Sequence, residues 1–311
     1  MVLPRSSPAC RPELRLAVWV VWPAGLVLAL ASGLRPAVPL AVSVGLNLVY
    51  VVGVVALVRA LGGRADRPAS ALVLAGAGIF ALAGLTGEPT ARDPGIMLLN
   101  TAVLATVAVT LTIAATGLAL RCGAEPARTP AALGMLALVI GSGGYPVNLL
   151  ARWAVVLSGA ADLQAAVEDS AWVAYAYLPG LDTEPTFLGY LLVLFDLVQL
   201  AYVVLTYLGF GALASALGRA GHLRARAACR IGLAGTSLAG VATAAAFLAG
   251  SVGSTVGTVA AWTAFVLTIP FMTTLLPCAL GLALLRSRAA SQAPSPPKPL
   301  AAPLSGSIMS G

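Results

Sequence analysis

The residue in this chain best suited to chemistry is Asp196, which lies near the middle of the apolar stretch 187–215. A carboxylate in hydrocarbon is costly, so it is expected to face a bundle interior, a partner or a wet cavity. At about 100° per residue, the same third of this helix's circumference carries other polar side chains, namely Gln199, Tyr202, Thr206 and Tyr207. Because burial favours the neutral form of a carboxylate, this polar stripe predicts a proton or cation site.

Three asparagines, Asn47, Asn100 and Asn148, lie in the outer halves of other predicted membrane spans. One interpretation is that they form an outer-half polar cavity together with Asp196. The other is that they make interhelical hydrogen bonds, which contribute about 0.6 kcal/mol each in membranes. For the asparagines the sequence favours the second interpretation. For Asp196 the two are balanced, because an unpaired carboxylate is costly as a mere packing contact.

Arg152 is the natural counter-charge for Asp196. In a regular helix over 131–157, it lies at the outer interface, where a long side chain extends toward water. The glycines at 141, 143 and 144, followed by Pro146, would instead let this helix unwind, and half-helix ends often shape substrate sites. Arg152 would then lie deeper and approach Asp196, and both interpretations stay open.

The composition of the chain predicts the helices that hold these residues. The chain is 59% hydrophobic and only 9% charged, whereas soluble domains carry roughly a quarter charged residues. The predicted fold is therefore all-α, a polytopic integral membrane helical bundle. Stretches of roughly 20 apolar residues predict about eight transmembrane helices, near 14–33, 38–57, 70–85, 95–120, 131–157, 187–210, 231–250 and 256–285.

The remaining segments are short. Residues 1–13 form a polar cytoplasmic segment before the transmembrane domain 14–286, and the tail 287–311, rich in Pro, Ser and Ala, is predicted to be disordered. The outer segment 159–186 is predicted either as an amphipathic surface helix or as an ordinary loop. Small residues at 29 and 31 leave cleavage of the first span open, with an uncleaved anchor favoured.

Loop charge predicts the orientation. With both termini cytoplasmic, 15 of the 18 Lys and Arg residues lie on the inner side, as the positive-inside rule requires. The net charge of +7 is then mostly an orientation signal, and no nucleic-acid partner is expected. An alanine-, glycine-, proline- and arginine-rich composition favours a bacterial plasma (inner) membrane. None of the four cysteines falls in an outer loop, so we expect no disulfide and, without closely spaced pairs, no metal site.

Two features predict helix packing and helix geometry. Small residues at strict four-residue spacing in the span 231–250 permit close helix approach, and these are Gly232, Thr236, Gly240 and Ala244. Packing within the chain is favoured over dimerisation. Pro270 and Pro277 predict kinks in the last span.

Three function classes remain after the absences are considered. The sequence has no phosphate-binding loop, no HExxH motif and no lysine in any span, which argues against ATP-driven transport, zinc hydrolysis and a retinal Schiff base; no cofactor is expected. We rank first a secondary transporter or permease-like protein for a small or amphiphilic molecule. A non-catalytic membrane subunit ranks second, and an intramembrane enzyme for a lipid-like substrate third, because an enzyme needs a second convergent group. The expected partners are the lipid bilayer and either an unidentified membrane protein or a second copy.

Overall fold

The computed structural model describes residues 40–60, 66–86, 94–157, 187–249, 255–268 and 273–291, together with Val21, Ala24, Gly25 and Val27. Every regular element within these residues is a helix, as the composition predicts. In chain order the helices are α1 Leu40–Ala60, α2 Arg67–Thr86, α3 Pro94–Ala119, α4 Arg128–Leu157, α5 Phe187–Arg219, α6 Ala225–Leu248, α7 Thr255–Thr268 and α8 Leu275–Ser291.

Four helices in this part of the chain are long and apolar enough to cross a membrane. They comprise Leu98–Ala119 of α3, Arg128–Ala151 of α4, Leu197–Arg219 of α5 and Ala225–Leu248 of α6. Shorter apolar stretches lie in α1, α2 and α8. The predicted outer segment 159–186 lies outside the described residues, as does most of the first predicted span and most of the tail. The number of crossings and their orientation stay predictions.

The helices form a sequential bundle that α8 closes. From α2 to α6 each helix packs against the next, and α8 packs against α2, α5 and α6. The side chains of Leu276, Leu280 and Leu285 in α8 are almost completely buried, so this helix lies in the centre of the packed region. In contrast α1 makes its main contacts with α2 and exposes Leu48 and Val49.

Glycines set how closely α4 approaches α5. A Cβ atom on Gly134 would lie 2.8 Å from the carbonyl oxygen of Gly209 and 3.2 Å from the backbone nitrogen of Leu213. Likewise, a Cβ on Gly209 would lie 2.6 Å from Cγ of Leu138. At this crossing, therefore, the two backbones touch directly, as small residues permit in membrane bundles.

The last predicted span is divided in the structure. Helix α7 ends at Thr268 and α8 begins at Leu275, where the sequence predicts a single kinked helix. Thr274, directly before α8, is in a turn, and Pro270 lies outside the described residues. The Tyr207 hydroxyl of α5 donates to the Leu267 carbonyl oxygen at 3.0 Å. This hydrogen bond satisfies a carbonyl near the end of α7 from a different helix.

The turn between α5 and α6 is fixed by Gly221, whose φ is 76°. The His222 amide donates to the Leu217 carbonyl at 2.9 Å, and the Gly221 amide donates to the Gly218 carbonyl at 3.2 Å. This pattern is a Schellman motif, and glycine adopts its left-handed residue without strain. The chain thereby reverses, and α6 packs antiparallel to α5.

Candidate functional site

The centre of the α4–α5 interface is a stacked pair of tyrosines. The rings of Tyr145 and Tyr202 lie 4.0 Å apart with an interplanar angle of 2°, and both side chains are buried. Tyr202 belongs to the polar stripe predicted from the sequence, whereas Tyr145 was not singled out. A tyrosine directly before a proline is typical of a helix break rather than of a packed helix interior, so its sequence context did not indicate a packing role.

This tyrosine pair sets the register of the predicted site residues in α4 and α5. At about 1.5 Å per residue, Asn148 and Gln199 lie about 5 Å from the level of the pair, and Asp196 and Arg152 about 10 Å from it. All four are on the side away from the turn at Gly221. The Asp196 and Arg152 backbone positions therefore share a level within one helical turn; their side chains lie outside the described part of the chain.

Register also defines the face of α5 on which Asp196 lies. Asp196 precedes Val203, Phe210 and Leu217 by one, two and three heptads, and these three side chains have 0% exposure. Positions one heptad apart lie on nearly the same helix face. The Asp196 position thus belongs to the face of α5 that points into the bundle further along the helix.

Helix α3 brings Asn100 to the same region. The hydroxyls of Thr112 in α3 and Ser142 in α4 are 2.6 Å apart, which fixes the antiparallel register of these two helices. Counting residues along the two antiparallel helices from this contact places Asn100 and Trp153 within about one helical turn of each other in height along the bundle. Since α3, α4 and α5 all pack against one another, Asn100 lies in the same belt as Asn148 and Asp196, about two helical turns high.

Asn148 is the most informative residue in this belt. Its side chain is 4% exposed, yet neither its amide nitrogen nor its amide oxygen has a hydrogen-bond partner among the described residues. The indole nitrogen of Trp153 is likewise buried and has no partner in that part of the chain. Leaving a buried polar group unsatisfied costs about 1–3 kcal/mol, so Asn148 is poorly explained as a packing residue.

Asn47 lies apart from this belt. It is 3% exposed and belongs to α1, whose main contacts are with α2. One turn further along α1, the Tyr50 hydroxyl donates to the Val21 carbonyl at 2.8 Å. The structure therefore brings together Asn100, Asn148 and the Asp196 position, and places Asn47 on a helix beyond α2.

The remainder of the polar stripe on α5 makes tertiary contacts. Tyr207 bonds to the Leu267 carbonyl, and the Tyr202 hydroxyl is within hydrogen-bonding reach of the Thr273 and Thr206 side chains. Thr206 also donates to the backbone carbonyl of Tyr202 at 2.7 Å. These two tyrosines thus connect α5 with Leu267 near the end of α7 and with Thr273 just before α8, so they serve helix packing.

The predicted small-residue stripe on α6 is divided between two surfaces. A Cβ on Gly232 would lie 2.9 Å from the Ser215 hydroxyl of α5, so Gly232 is at the helix contact. Thr236 and Ala244 are exposed, and a Cβ on Gly240 would meet nothing within 4 Å. The closest contact of α6 with α5 is instead at Gly235, where a Cβ would lie 2.5 Å from the Tyr207 carbonyl oxygen.

The outward part of this stripe lines a groove of about 690 Å³ between α5 and α6. Its walls are mainly apolar, with Val204 and Leu208 on one side and Phe247 on the other. The hydroxyls of Thr236 and Thr243 in this groove donate to carbonyls of their own helix. The groove is therefore an apolar surface and is separate from the polar belt.

A buried ion pair, which was not predicted, lies at the other end of the bundle. Two guanidinium nitrogens of Arg121 donate to the Asp66 carboxylate at 2.9 and 3.0 Å, and the Asp66 side chain is 1% exposed. The Ala69 amide also donates to this carboxylate at 3.3 Å, so Asp66 caps the N-terminus of α2. An Asp directly before the Arg-Pro that opens a helix was a usable capping signal; the partner 55 residues away was not predictable.

The cysteines that the structure describes, Cys122, Cys229 and Cys278, form no disulfide with one another. Burial raises the pKa of the Cys122 thiol, and the neighbouring Arg121 guanidinium offsets part of that effect. Because the thiolate is the reactive form, this thiol is expected to be inert at neutral pH. Among the described residues no group of three or more His, Cys, Asp and Glu side chains is positioned to hold a metal ion.

Comparison of this chain with protein-family models, with curated proteins and with solved structures found no match.

Proposed function

We propose that this protein is a secondary transporter or permease-like protein that moves a small or amphiphilic molecule. Its polar site is the belt formed by α3, α4 and α5, with Asp196 as the ionisable group and Asn148, Asn100, Gln199 and Arg152 around it. The carboxylate exchanges a proton or cation as the solute binds. The proposal rests on helices suited to a membrane and on polar residues gathered at one level within them.

The observation that carries this proposal is the buried amide of Asn148, which has no hydrogen-bond partner in the part of the chain that the structure describes. Such a group lowers stability unless a ligand or water completes its hydrogen bonds. It lies one turn from the Tyr145–Tyr202 pair and within about two turns of the Asp196 level. A site that binds solute reversibly requires polar groups that the protein itself leaves unsatisfied.

We expect Asn148→Leu to fold with equal or higher thermal stability, and to lose function. Because leucine has no amide to leave unsatisfied, we expect the free energy of unfolding to rise by about 1–3 kcal/mol. The measurement is thermal unfolding of the purified protein in detergent. A clear loss of stability would show that buried water satisfies the amide and that Asn148 is structural.

The same preparation tests Asp196 directly with a hydrophobic carbodiimide, which modifies protonated carboxyl groups within a membrane. We expect modification at Asp196, decreasing as pH rises, with Asp196→Asn as the unreactive control of equal stability. If Asp196 instead pairs with Arg152, Asp196→Asn is destabilised, and the double change with Arg152→Gln recovers much of the loss. Unmodified Asp196 together with a silent Asp196→Asn variant would eliminate the transporter proposal.

A non-catalytic membrane subunit is the second candidate. It is favoured by the use of Tyr202 and Tyr207 in helix–helix contacts and of Thr206 in a hydrogen bond within its own helix, since these members of the polar stripe on α5 then serve packing. This candidate predicts no carbodiimide reaction and wild-type stability in Asp196→Asn, so the preceding experiment separates the two.

We further propose that both termini of a bundle with about eight crossings lie in the cytoplasm of a bacterium. The measurement is labelling of single cysteines by an impermeant maleimide, in a chain whose four native cysteines are replaced. Cysteine at position 168 should react in intact cells, and cysteine at position 287 only after the membrane is opened. The reverse pattern would overturn this orientation.

A further inference from the structure

Two turns at one end of the bundle are held side by side by hydrogen bonds. One, residues 120–127, joins α3 to α4, and the other, residues 220–224, joins α5 to α6. The His222 ring nitrogen Nε2 lies 3.2 Å from the Arg121 carbonyl oxygen, and the Arg219 guanidinium donates to the Pro126 carbonyl at 3.5 Å. Arg219 thus reaches across to within two residues of Arg128, which opens α4.

Positive charge accumulates at this junction. Arg128, Arg219, Arg224 and Arg226 are all exposed, and neither α4 nor α6 has an acidic residue in its first turn. Two carboxylates lie nearby: the buried Asp66, which already accepts two hydrogen bonds from Arg121, and the exposed Glu125 in the turn between α3 and α4. One exposed carboxylate against four exposed arginines leaves the junction positively charged.

The surroundings of the arginines are apolar and exposed. Leu120 at the end of α3 is 80% exposed, Leu133 in α4 is 60% exposed, and Leu233 in α6 is 68% exposed. Leu133 follows Arg128 by about one and a half turns, and Leu233 follows Arg230 by about one turn. Helices α4 and α6 therefore each carry exposed positive charge at the end and exposed apolar surface directly beyond it.

We propose that this junction is a binding site for the anionic phosphate headgroup of a membrane phospholipid, held mainly by Arg128 and Arg219. A guanidinium offers five N–H donors in a planar fork that fits phosphate. Because the Pro126 carbonyl takes only one donor from Arg219, the others remain for the ligand. The acyl chains lie on the exposed leucines. The site is the same whichever side of the membrane this end faces.

The exposed leucines favour a phospholipid over a soluble anion. A free phosphate or a nucleic acid gains nothing from apolar surface, whereas a lipid covers it. Basic surfaces at the ends of membrane helices bind anionic headgroups, and each arginine changes the affinity roughly fivefold.

The test is binding of phosphatidylglycerol, fluorescently labelled on an acyl chain, to the full-length protein in neutral detergent, followed by anisotropy. We expect saturable binding that is far weaker for labelled phosphatidylcholine. Arg128→Gln combined with Arg219→Gln should weaken binding about 30-fold. The matched control, Arg59→Gln with Arg67→Gln, removes two exposed arginines elsewhere on the same end and should weaken binding much less than the Arg128 and Arg219 pair.

Two further arms make each outcome decisive. The double variant Arg128→Lys with Arg219→Lys keeps the positive charge but loses the planar guanidinium groups. A binding affinity between those of the wild type and the double glutamine variant would therefore support recognition of the phosphate by guanidinium geometry as well as by charge. Equal losses in both glutamine pairs would show diffuse attraction and overturn the proposal. Displacement of the lipid by millimolar inorganic phosphate, at constant ionic strength, would overturn it in favour of a soluble anion.

Discussion

Replacing Asp66 with asparagine is expected to lower the free energy of unfolding by about 2–3 kcal/mol. Asparagine keeps an oxygen for the Ala69 amide, so the capping hydrogen bond of α2 survives. The change instead removes the charge that pairs with Arg121. Breaking a buried pair by removing one partner costs about 3–5 kcal/mol, and we take a lower figure because the Arg121 side chain is 23% exposed and regains water.

The measurement is thermal or denaturant unfolding of the purified protein in one detergent. The double variant Asp66→Asn with Arg121→Gln should recover part of the loss, since it leaves no unpaired charge. Glu125→Gln is the matched control, because it neutralises an exposed carboxylate in the adjacent turn and should have no measurable effect. Equal effects of Asp66→Asn and Glu125→Gln would refute a stabilising role for the ion pair.

Replacing Gly134 with alanine is expected to destabilise the bundle by about 2 kcal/mol. The added methyl group would lie 2.8 Å from the Gly209 carbonyl oxygen and 3.2 Å from the Leu213 nitrogen. Both are backbone atoms, which cannot move out of the way by changing rotamer. The α4 and α5 helices must therefore separate, and the stacked tyrosines further along the same interface move with them.

Gly143→Ala provides the control on the same helix. A Cβ at position 143 meets nothing within 4 Å, so only the intrinsic helix preference for alanine over glycine applies, up to about 1 kcal/mol in favour of the variant. Unfolding midpoints of the two variants in one detergent should therefore move in opposite directions. An unchanged unfolding midpoint for Gly134→Ala would show that α4 and α5 are less closely packed than in the structure.

The sequence determined the class of this protein because composition and hydrophobic length are local properties. Apolar stretches need no partner to be recognised, and the helices of α3 to α6 occur where hydropathy predicts them. Gly221 also offered a local signal, since a glycine often follows the last residue of a helix, although the predicted span ended at residue 210. Asp196 was also recognisable from the sequence, because a charge within an apolar stretch is conspicuous wherever it occurs.

Tertiary packing decided which residues meet. The stack of Tyr145 on Tyr202 and the pairing of Asp66 with Arg121, 55 residues apart, depend on helix register, which a single sequence does not encode in any local pattern. The stripe of small residues on α6 shows the same limit, because spacing identifies a face but not the neighbour it meets. Whether the hydrogen bonds of the Asn148 amide are satisfied likewise depends on how three helices pack. A buried polar side chain lowers stability only when the groups around it leave it without a hydrogen-bond partner.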